Sequence, residues 1–446
     1  MDAWSRVTQG RAELLLISGY SGIGKSALAN EFCKTIAQRS GCFIPGECRV
    51  LAFRIDVHLP AHQNGSARRR GGVGDGQTRM VSLITFFACV LGAILFKLRL
   101  AKLWTNATPL TPHASASAAT VSIIVPARNE AHNLPTLLAS LSALESPARE
   151  IIVVDDHSED DTAQVARRFG VRVIVPDPRP DHFIGKTWAC LAGAKAACGQ
   201  ALLFTDADTW HAPDSLTRSL AALAASKAGV VSIVPTHRCD TLWERLQGIF
   251  QLLLLFATRA GGAKQHYANG QYLLFRREVY EALSGHGAVS TRIAEDLAFV
   301  RAVQAIGQPV RVLFAPNALR VRMYPEGFFA FVAGWRRNFR EGMSAGGLRT
   351  GVEMAVVMAW LVGTPMCLLL ALGDGGPSTF VWVGAHLGTA LLIAREQRHC
   401  GPFGAASALL YPLFVAVFVG VSLLSAFDGL RRAPITWRGR TIAAVR

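Results

Sequence analysis

The sequence predicts an α/β domain built on a mainly parallel sheet and set between apolar segments long enough to enter a membrane. Three observations carry this. Short apolar runs alternate with helix-patterned stretches from residue 121 to residue 205. Four long apolar runs flank that region, one before it and three after it. Hydrophobic residues make up 51% of the 446-residue chain and charged residues only 17%, with a mean hydropathy of +0.29. A soluble domain carries about a quarter charged residues, so an ordinary cytosolic enzyme and a disordered acidic protein are both disfavoured. Nine cysteines with no CxxC pair exclude a disulfide scaffold and a zinc ribbon.

The first run, Met80 to Phe96, is uncharged and ends in Lys97, Arg99 and Lys102. It is close to the roughly 20 residues that span a bilayer. Val352 to Leu372 and Ala405 to Ala426 are long enough to cross. Between them, Phe380 to Ala394 is shorter and contains His386, so it is read as a tilted crossing or a re-entrant piece. Leu242 to Thr258 is too short in its uncharged part to span, and Trp243, Glu244 and Arg245 lead it. An interfacial helix lying on the membrane is expected there. The net charge is +15, and Arg431, Arg432, Arg438, Arg440 and Arg446 form a tail without an acid. This pattern points to positive-inside topology and anionic headgroups, and not to nucleic acid, because no aromatic-interleaved basic stretch is present to stack bases.

Within the globular middle, Val121 to Val125 is a strand halted by Pro126, and NLPTLLASLSAL has helical spacing. A second strand at Glu150-IIVV ends in Asp155 and Asp156, and a helix follows from Asp160 and Asp161 to Phe169. VRVIV at 171–175 is a third strand, Lys186 to Ala197 a small-residue helix, and Ala201 to Thr205 a fourth strand ending in Asp206-Ala207-Asp208. In open sheets of this kind ligands bind beyond the C-terminal strand ends. Arg128-Asn129-Glu130, Asp155-Asp156 and Asp206-Ala207-Asp208 each follow a strand and would converge on one edge.

Asp206 and Asp208, one residue apart at a turn, suit a hard cation such as Mg2+ or Mn2+ whose shell is completed by water and phosphate oxygens. Turn chemistry and helix capping account for such aspartates equally simply. Asp155 or Asp156, followed by His157-Ser158, suits a ribose hydroxyl or base N–H, or the N-cap of the next helix. Lys186 after Gly185 suits a phosphate, or solvent. Glu295 and Asp296 open a helix carrying Leu297, Val300 and Ile306. The helix dipole would keep Asp296 ionised and fit to take a proton.

These pieces in this order resemble the family 2 glycosyltransferases of GT-A fold: PARNE at 126–130, VVDDHSEDDT at 153–162, FTDAD at 204–208, GQYLLFRREVYEALSGH at 270–286 and AEDLAF at 294–299. The likeness is to the bacterial membrane-bound branch that acts on hopanoids or carotenoids, a branch that TWRGR at 436–440 also resembles. The resemblance implies a Rossmann-like GT-A catalytic domain over 118–345, a transmembrane helix over 80–97, two to three C-terminal membrane helices within 352–426, and a basic tail over 427–446. It implies a nucleotide-sugar donor lying along Pro126, Arg128 and Glu130, with Asp155 or Asp156, Ser158 and Lys186 also on the nucleotide. Asp206 would contact ribose or metal, Asp208 would hold Mg2+ or Mn2+, and Asp296 would be the general base beside Glu295. The implied reaction is inverting transfer to a membrane lipid acceptor such as a hydroxylated carotenoid or hopanoid, with a polyprenyl phosphate as the alternative. Processive members carry QxxRW after the base; Gly334-Trp335-Arg336-Arg337-Asn338 departs from it, so a single sugar transfer is expected. Trp335 and the two arginines suit diphosphate, headgroup or snorkelling contacts.

Nucleotide-sugars are cytosolic, which places the catalytic domain on the cytosolic side of an inner, multi-pass membrane protein. Three C-terminal crossings would leave the basic tail outside, against the positive-inside rule, so the middle run is expected not to cross. At the other end, Gly19-x-x-x-x-Gly24-Lys25-Ser26 follows an apolar strand. It resembles the P-loop opening an AAA-type ATPase. No second carboxylate-bearing strand of good quality follows before the Gly- and Arg-rich linker at 65–79, so residues 1–64 read as a truncated fragment. An ATP-regulated membrane module led by that P-loop is the alternative from a different class.

Overall fold

The chain divides into two units, Met1–Gly71 and Gly72–Arg446. A computed structural model describes residues 74–106, 119–146, 148–262, 265–292, 294–342, 347–431, 433, 435–437 and 440–442. The P-loop at Gly19 to Ser26, the fragment 1–64 and the linker up to residue 73 lie outside the described residues.

The elements run α1 (Gly74–Asn106), β1 (Val121–Ala127), α2 (Leu134–Ser142), β2 (Glu150–Asp155), α3 (Thr162–Arg168), β3 (Arg172–Ile174), α4 (Gly185–Ala196), β4 (Ala201–Thr205), β5 (Thr209–His211), α5 (Ser215–Ala225), β6 (Val230–Ile233) and β7 (Thr236–His237). They continue with α6 (Gln247–Ala257), β8 (Tyr272–Arg276), α7 (Arg277–Ala282), α8 (Glu295–Ala305), β9 (Val310–Leu313), β10 (Leu319–Val321), α9 (Phe328–Gly342), α10 (Gly347–Asp374), α11 (Ser378–Gln397), α12 (Ala405–Leu409), α13 (Tyr411–Leu430) and a terminal hairpin, β11 (Ile435–Trp437) and β12 (Arg440–Ile442).

Seven strands form the main sheet in the order β3-β2-β1-β4-β8-β6-β9. All neighbours are parallel except β8, which runs antiparallel to both β4 and β6. β1 and β4 are covered on both faces, so they read as unbroken apolar runs without alternation. Pro126 pairs with Val154 and Ala127 with Asp155, while Ile124 pairs with Phe204. This register brings the polar ends of β1, β2 and β4 to one edge. α4 lies close over the sheet because Gly193 meets Ile124 and Val154; a Cβ there would sit 2.4 Å from Ile124 Cγ2. β5, β10 and β7 form a small second sheet beside the turn after β4.

Three helices are long and apolar enough to cross a membrane among the described residues: Leu83–Thr105, Gly347–Asp374 and Tyr411–Leu430. The middle C-terminal run forms the 20-residue α11, which is outside that set. It nevertheless lies along α1 for most of its length, from the ring pair Phe86 and Trp382 at 6.0 Å to the ion pair of Lys97 with Glu396.

The expected interfacial helix is corrected by the structure. α6 buries Ile249, Phe250, Leu252, Leu253, Leu255 and Phe256 at 1% exposure or less and packs on α1, α10, α11 and α13. An interfacial helix keeps one polar face in water, whereas the LLLLF run is apolar all round and is therefore a core helix. It fastens the catalytic domain to the apolar helices.

Candidate active site

The turn after β4 is built from hydroxyls. Thr209 Oγ1 donates to the Asp206 carbonyl at 2.8 Å, and Thr205 Oγ1 donates to the Gln271 carbonyl at 2.9 Å. His211 Nε2 lies 3.0 Å from Thr205 Oγ1 and 3.2 Å from Thr209 Oγ1. Both hydroxyl protons are already committed, so the network assigns the proton of the ring to Nε2. Burial lowers the His211 pKa to about 3, which keeps the ring neutral. Asp206 and Asp208 are thereby presented from a rigid turn.

Asp206 does not stand alone. Lys186, in the first turn of α4, places Nζ 2.8 Å from Asp206 Oδ1 and 2.8 Å from Glu295 Oε1. Burial works against the ammonium, but the charges of Asp206 and Glu295 outweigh it and hold the Lys186 pKa well above the usual lysine value. Lys186 lines the cavity and ties the strand-end aspartate to the start of α8. Asp296 Oδ2 accepts the Gly270 N–H at 3.0 Å, and Oδ1 accepts the Leu297 N–H at 2.8 Å. A Cβ at Gly270 would stand 3.2 Å from Glu295 Oε1, 3.5 Å from Asp296 Oδ2 and 3.6 Å from Lys186 Nζ, so the backbone passes close to the carboxylates. Burial, with the neighbouring Glu295 charge added, pushes the Asp296 carboxyl up to about 7. That corrects the expectation that its helix position keeps it firmly ionised: desolvation and a like charge outweigh the N–H donors and Lys186. A carboxyl poised near neutrality is suited to accept a proton.

A cavity of about 1710 Å3 opens on this cluster. Pro126, Arg128, Glu130, Asp156, Lys186, Asp206, Asp208, Glu295 and Asp296 all line it. Asp155 and Ser158 are not among the lining residues: Asp155 Oδ1 accepts the Ser158 N–H at 3.1 Å, and Ser158 Oγ accepts the Asn129 N–H at 2.9 Å. They shape the loop, with Asn129 and His157 in the left-handed region at φ 55° and 57°, and Asp156 is the member of the pair that faces the site. Arg128 Nη1 donates to the Asp156 carbonyl at 3.0 Å. Glu130 Oε2 accepts from Asn133 Nδ2 at 2.7 Å.

Gly270, Gln271 and Tyr324 belong to this site and went unassigned in the sequence. Gln271 Nε2 lies 3.5 Å from Asp208 Oδ1. The legible signal was a Gly-Gln pair directly before an apolar strand. The Gly334 to Asn338 segment divides: Trp335 is buried and its Nε1 donates to Gln247 Oε1 at 2.9 Å, Arg336 is ion-paired with Asp428, and Arg337 lines the cavity.

Among the described residues no group of three or more His, Cys, Asp or Glu is arranged to hold a metal ion. The donor set is two carboxylates one residue apart, with Asp206 shared by Lys186. Such a set fits a hard divalent cation that takes one or two carboxylates and fills its shell with phosphate and water oxygens, and not a fully protein-enclosed ion.

The α/β domain with its mainly parallel sheet and acidic strand ends has a GT-A-like fold, and residues 122–284 match the family described as Glycosyl transferase family 2. The protein is a glycosyltransferase carrying a family 2 domain. Over 375 residues it is 29% identical to 4,4'-diaponeurosporenoate glycosyltransferase of Staphylococcus aureus strain N315, covering 81% of this chain and 97% of that one. The protein of the same name from strain USA300 is 29% identical over 379 residues, with the same coverage. Among solved structures, the mannosyltransferase PcManGT from Pyrobaculum calidifontis in complex with GDP-Man and Mn2+ is 19% identical, covers 80% of this chain and 98% of its own, and has a TM-score of 0.47. Glucosyl-3-phosphoglycerate synthase from Mycobacterium tuberculosis with Mn2+, UDP and glucosyl-3-phosphoglycerate is 22% identical over 52% of this chain and 81% of its own, with a TM-score of 0.36.

Proposed function

We propose that this protein transfers one sugar from a nucleotide-sugar to a membrane lipid of carotenoid type, with inversion at the anomeric carbon. The observation that carries the reading is the continuity of one cavity. It begins at Arg128, Asp156 and Asp208 and extends to Met354 and Met358 of α10 and Phe418 of α13. A single small-molecule pocket is about 300–1,000 Å3, so about 1710 Å3 suits two substrates side by side. The S. aureus relatives are named for a carotenoid acid as acceptor, which agrees with an apolar second substrate.

The donor's nucleotide lies along β1 and β2, against Pro126, Arg128 and Asp156. Asp208, with Asp206 beside it, is the pair that would hold Mg2+ or Mn2+, which when bound neutralises the departing diphosphate. Lys186 restrains Asp206 and Glu295 so that neither turns away from the donor. For a hydroxyl acceptor, Asp296 takes its proton as the oxygen bonds to the anomeric carbon; a carboxylate acceptor, such as the acid for which the S. aureus relatives are named, attacks without giving up a proton. The bond from that carbon to the diphosphate breaks, and the nucleoside diphosphate leaves with the electron pair. Because nucleotide-sugars are cytosolic, the catalytic domain faces the cytosol at the inner membrane.

Membranes containing the protein, incubated with radiolabelled UDP- and GDP-sugars, are expected to place label in the lipid fraction. Asp208→Ala is expected to lower that incorporation at least a hundredfold, in the range of losing a transition-state charge contact. Undiminished lipid labelling in Asp208→Ala would sink the proposed role of the strand-end aspartates.

A further inference from the structure

Length and composition let α13 cross a bilayer, but its neighbours fix where its two ends lie. α1, α10 and α11 supply a depth scale. Their ends beside the catalytic domain are marked by the ion pairs of Lys97 with Glu396 and Arg99 with Glu353, and by Trp104 against Phe314 at 4.7 Å. From there α10 and α11 both extend away from the domain along α1, where Gly363 faces Cys89 and Trp382 faces Phe86. Ser378 to Glu396 of α11 spans about 27 Å, close to the roughly 30 Å of bilayer hydrocarbon. Phe380, Leu387 and Leu391 along it are exposed, as residues facing lipid would be.

The segment after α11 begins on the catalytic side. A Cβ at Gly404 would stand 3.6 Å from Arg245 Nη1, and Phe403 lies against Gly248 of α6. α12 then descends. The Tyr411 ring stacks on His386 at 5.1 Å, and His386 lies about 15 Å along α11 from Glu396. That is half the hydrocarbon thickness. α13 starts at this depth and returns. Phe418 meets Phe250 of α6 at 5.1 Å and Phe339 of α9 at 5.2 Å. Asp428 is ion-paired with Arg336, and Arg340 Nη1 donates to the Ala433 carbonyl at 2.6 Å. α9 lines the cavity together with Asp208, so the far end of α13 is back at the catalytic domain.

The turn between α12 and α13 suits that depth. Irregular backbone within hydrocarbon is tolerated only where protein buries it and its polar groups are satisfied. Tyr411 is fully buried, and the Leu410 N–H donates to the Ala406 carbonyl at 3.0 Å. Pro412 has no N–H to satisfy. The residues from Ala405 to Phe427 include no charge, while Leu409, Leu410 and Leu413 at the tip are exposed.

We infer that α12 and α13 form a re-entrant hairpin that enters only the leaflet on the catalytic side, with Leu409, Leu410 and Leu413 against acyl chains near the midplane. α1, α10 and α11 cross, and the chain leaves α13 on the side from which it entered α12. The basic tail that begins at Arg431 then lies on the catalytic side, as the positive-inside rule prefers, although the middle run does cross. This placement is independent of the glycosyl-transfer reading; it needs only that α1 spans the bilayer.

The test uses the full-length protein in sealed vesicles of both orientations, a membrane-impermeant maleimide and peptide mass spectrometry. Exposed Cys198 marks the catalytic side. Leu430→Cys is expected to label at least fivefold more in the orientation that labels Cys198, and Ser378→Cys at least fivefold more in the other. Leu413→Cys is expected to label in neither. An epitope appended after Arg446 of the otherwise unchanged chain reads the same side by protease removal, should a cysteine variant fail to accumulate. Labelling of Leu430→Cys, or removal of the epitope, only in the orientation opposite to Cys198 overturns the hairpin. Labelling of Ser378→Cys together with Cys198, or strong labelling of Leu413→Cys from the catalytic side, overturns it as well. None of these readings needs turnover, so they stand apart from any failure of sugar transfer.

Discussion

The two ends of the cavity are built on opposite principles. At the strand-end side every functional group is held by another polar group: Asp206 by Lys186, Asp296 by two backbone N–H groups, and the Asp206–Asp208 turn by Thr205, Thr209 and neutral His211. At the helix side the wall from α10 and α13 is uncharged, mostly glycine, alanine, methionine, valine, leucine and phenylalanine with Thr350 and Ser422 among them. On the proposed glycosyl-transfer reading, the difference follows from what each end would bind. A charged donor needs directional groups fixed in advance, because unpaired charges in an enclosed site are costly and reorganisation slows reaction. A greasy acceptor needs only a dry space of the right shape. Errors at the first end should therefore cost rate, and errors at the second should cost selectivity.

The largest expected effect breaks the first end. Asp296→Asn should lower kcat by about 10²–10⁴, the usual contribution of a general base, measured as initial rates of lipid labelling. Its pH profile is equally telling. The wild-type kcat/KM should fall as pH drops through about 7, because protonated Asp296 cannot accept a proton. The Asn variant should lack that limb. Stability should move the other way. A carboxyl whose folded pKa lies above its unfolded value, about 3.9, costs stability once pH exceeds that value, so Asp296→Asn should melt at the same or a higher temperature at pH 8. A lowered Tm with unchanged rate would make Asp296 a structural group.

A smaller effect sharpens the role of Lys186. Lys186→Met removes a positive charge that now opposes the rise of the Asp296 pKa. The acid limb should move upward by about one pH unit, in the range for losing a nearby opposite charge, and activity should be regained in part at high pH. A limb that does not move would mean Lys186 only positions its neighbours.

The smallest effect concerns the backing of the charged end. α4 carries Lys186 and presses Gly193 onto the sheet. Gly193→Ala forces a methyl into Ile124 and Val154, and overpacking of this kind costs about 1–3 kcal/mol. Thermal unfolding should register the loss. If the helix lifts, the acid limb should shift with it as in Lys186→Met; if it does not, only stability changes.

Much of the charged end was legible because its parts are local. Each carboxylate follows a short apolar run, and runs of that length separated by helical stretches give parallel strands whose ends share an edge. What was not legible came from distance along the chain and from burial. Asp155 ends β2 and Asp156 opens the loop after it, so only the fold decides that Asp156 is the one that lines the cavity. Lys186 finds Asp206 and Glu295 through packing of α4 and α8, which no spacing announces. The run around Leu252 looked interfacial because its length is short, and only its neighbours show that most of it is buried, with the rest lining the cavity.

The amino-acid order alone determined the alternation of strands and helices, the acidic strand ends, and the apolar runs, because these depend on periodicity and on residues a few positions apart. The tertiary structure alone decided which carboxylates are paired, that Asp296 titrates near neutrality, and that the acidic cleft continues between apolar helices. Those properties arise from desolvation and from contacts between segments far apart in the chain, such as Lys186 with Glu295, and neither is written in local sequence.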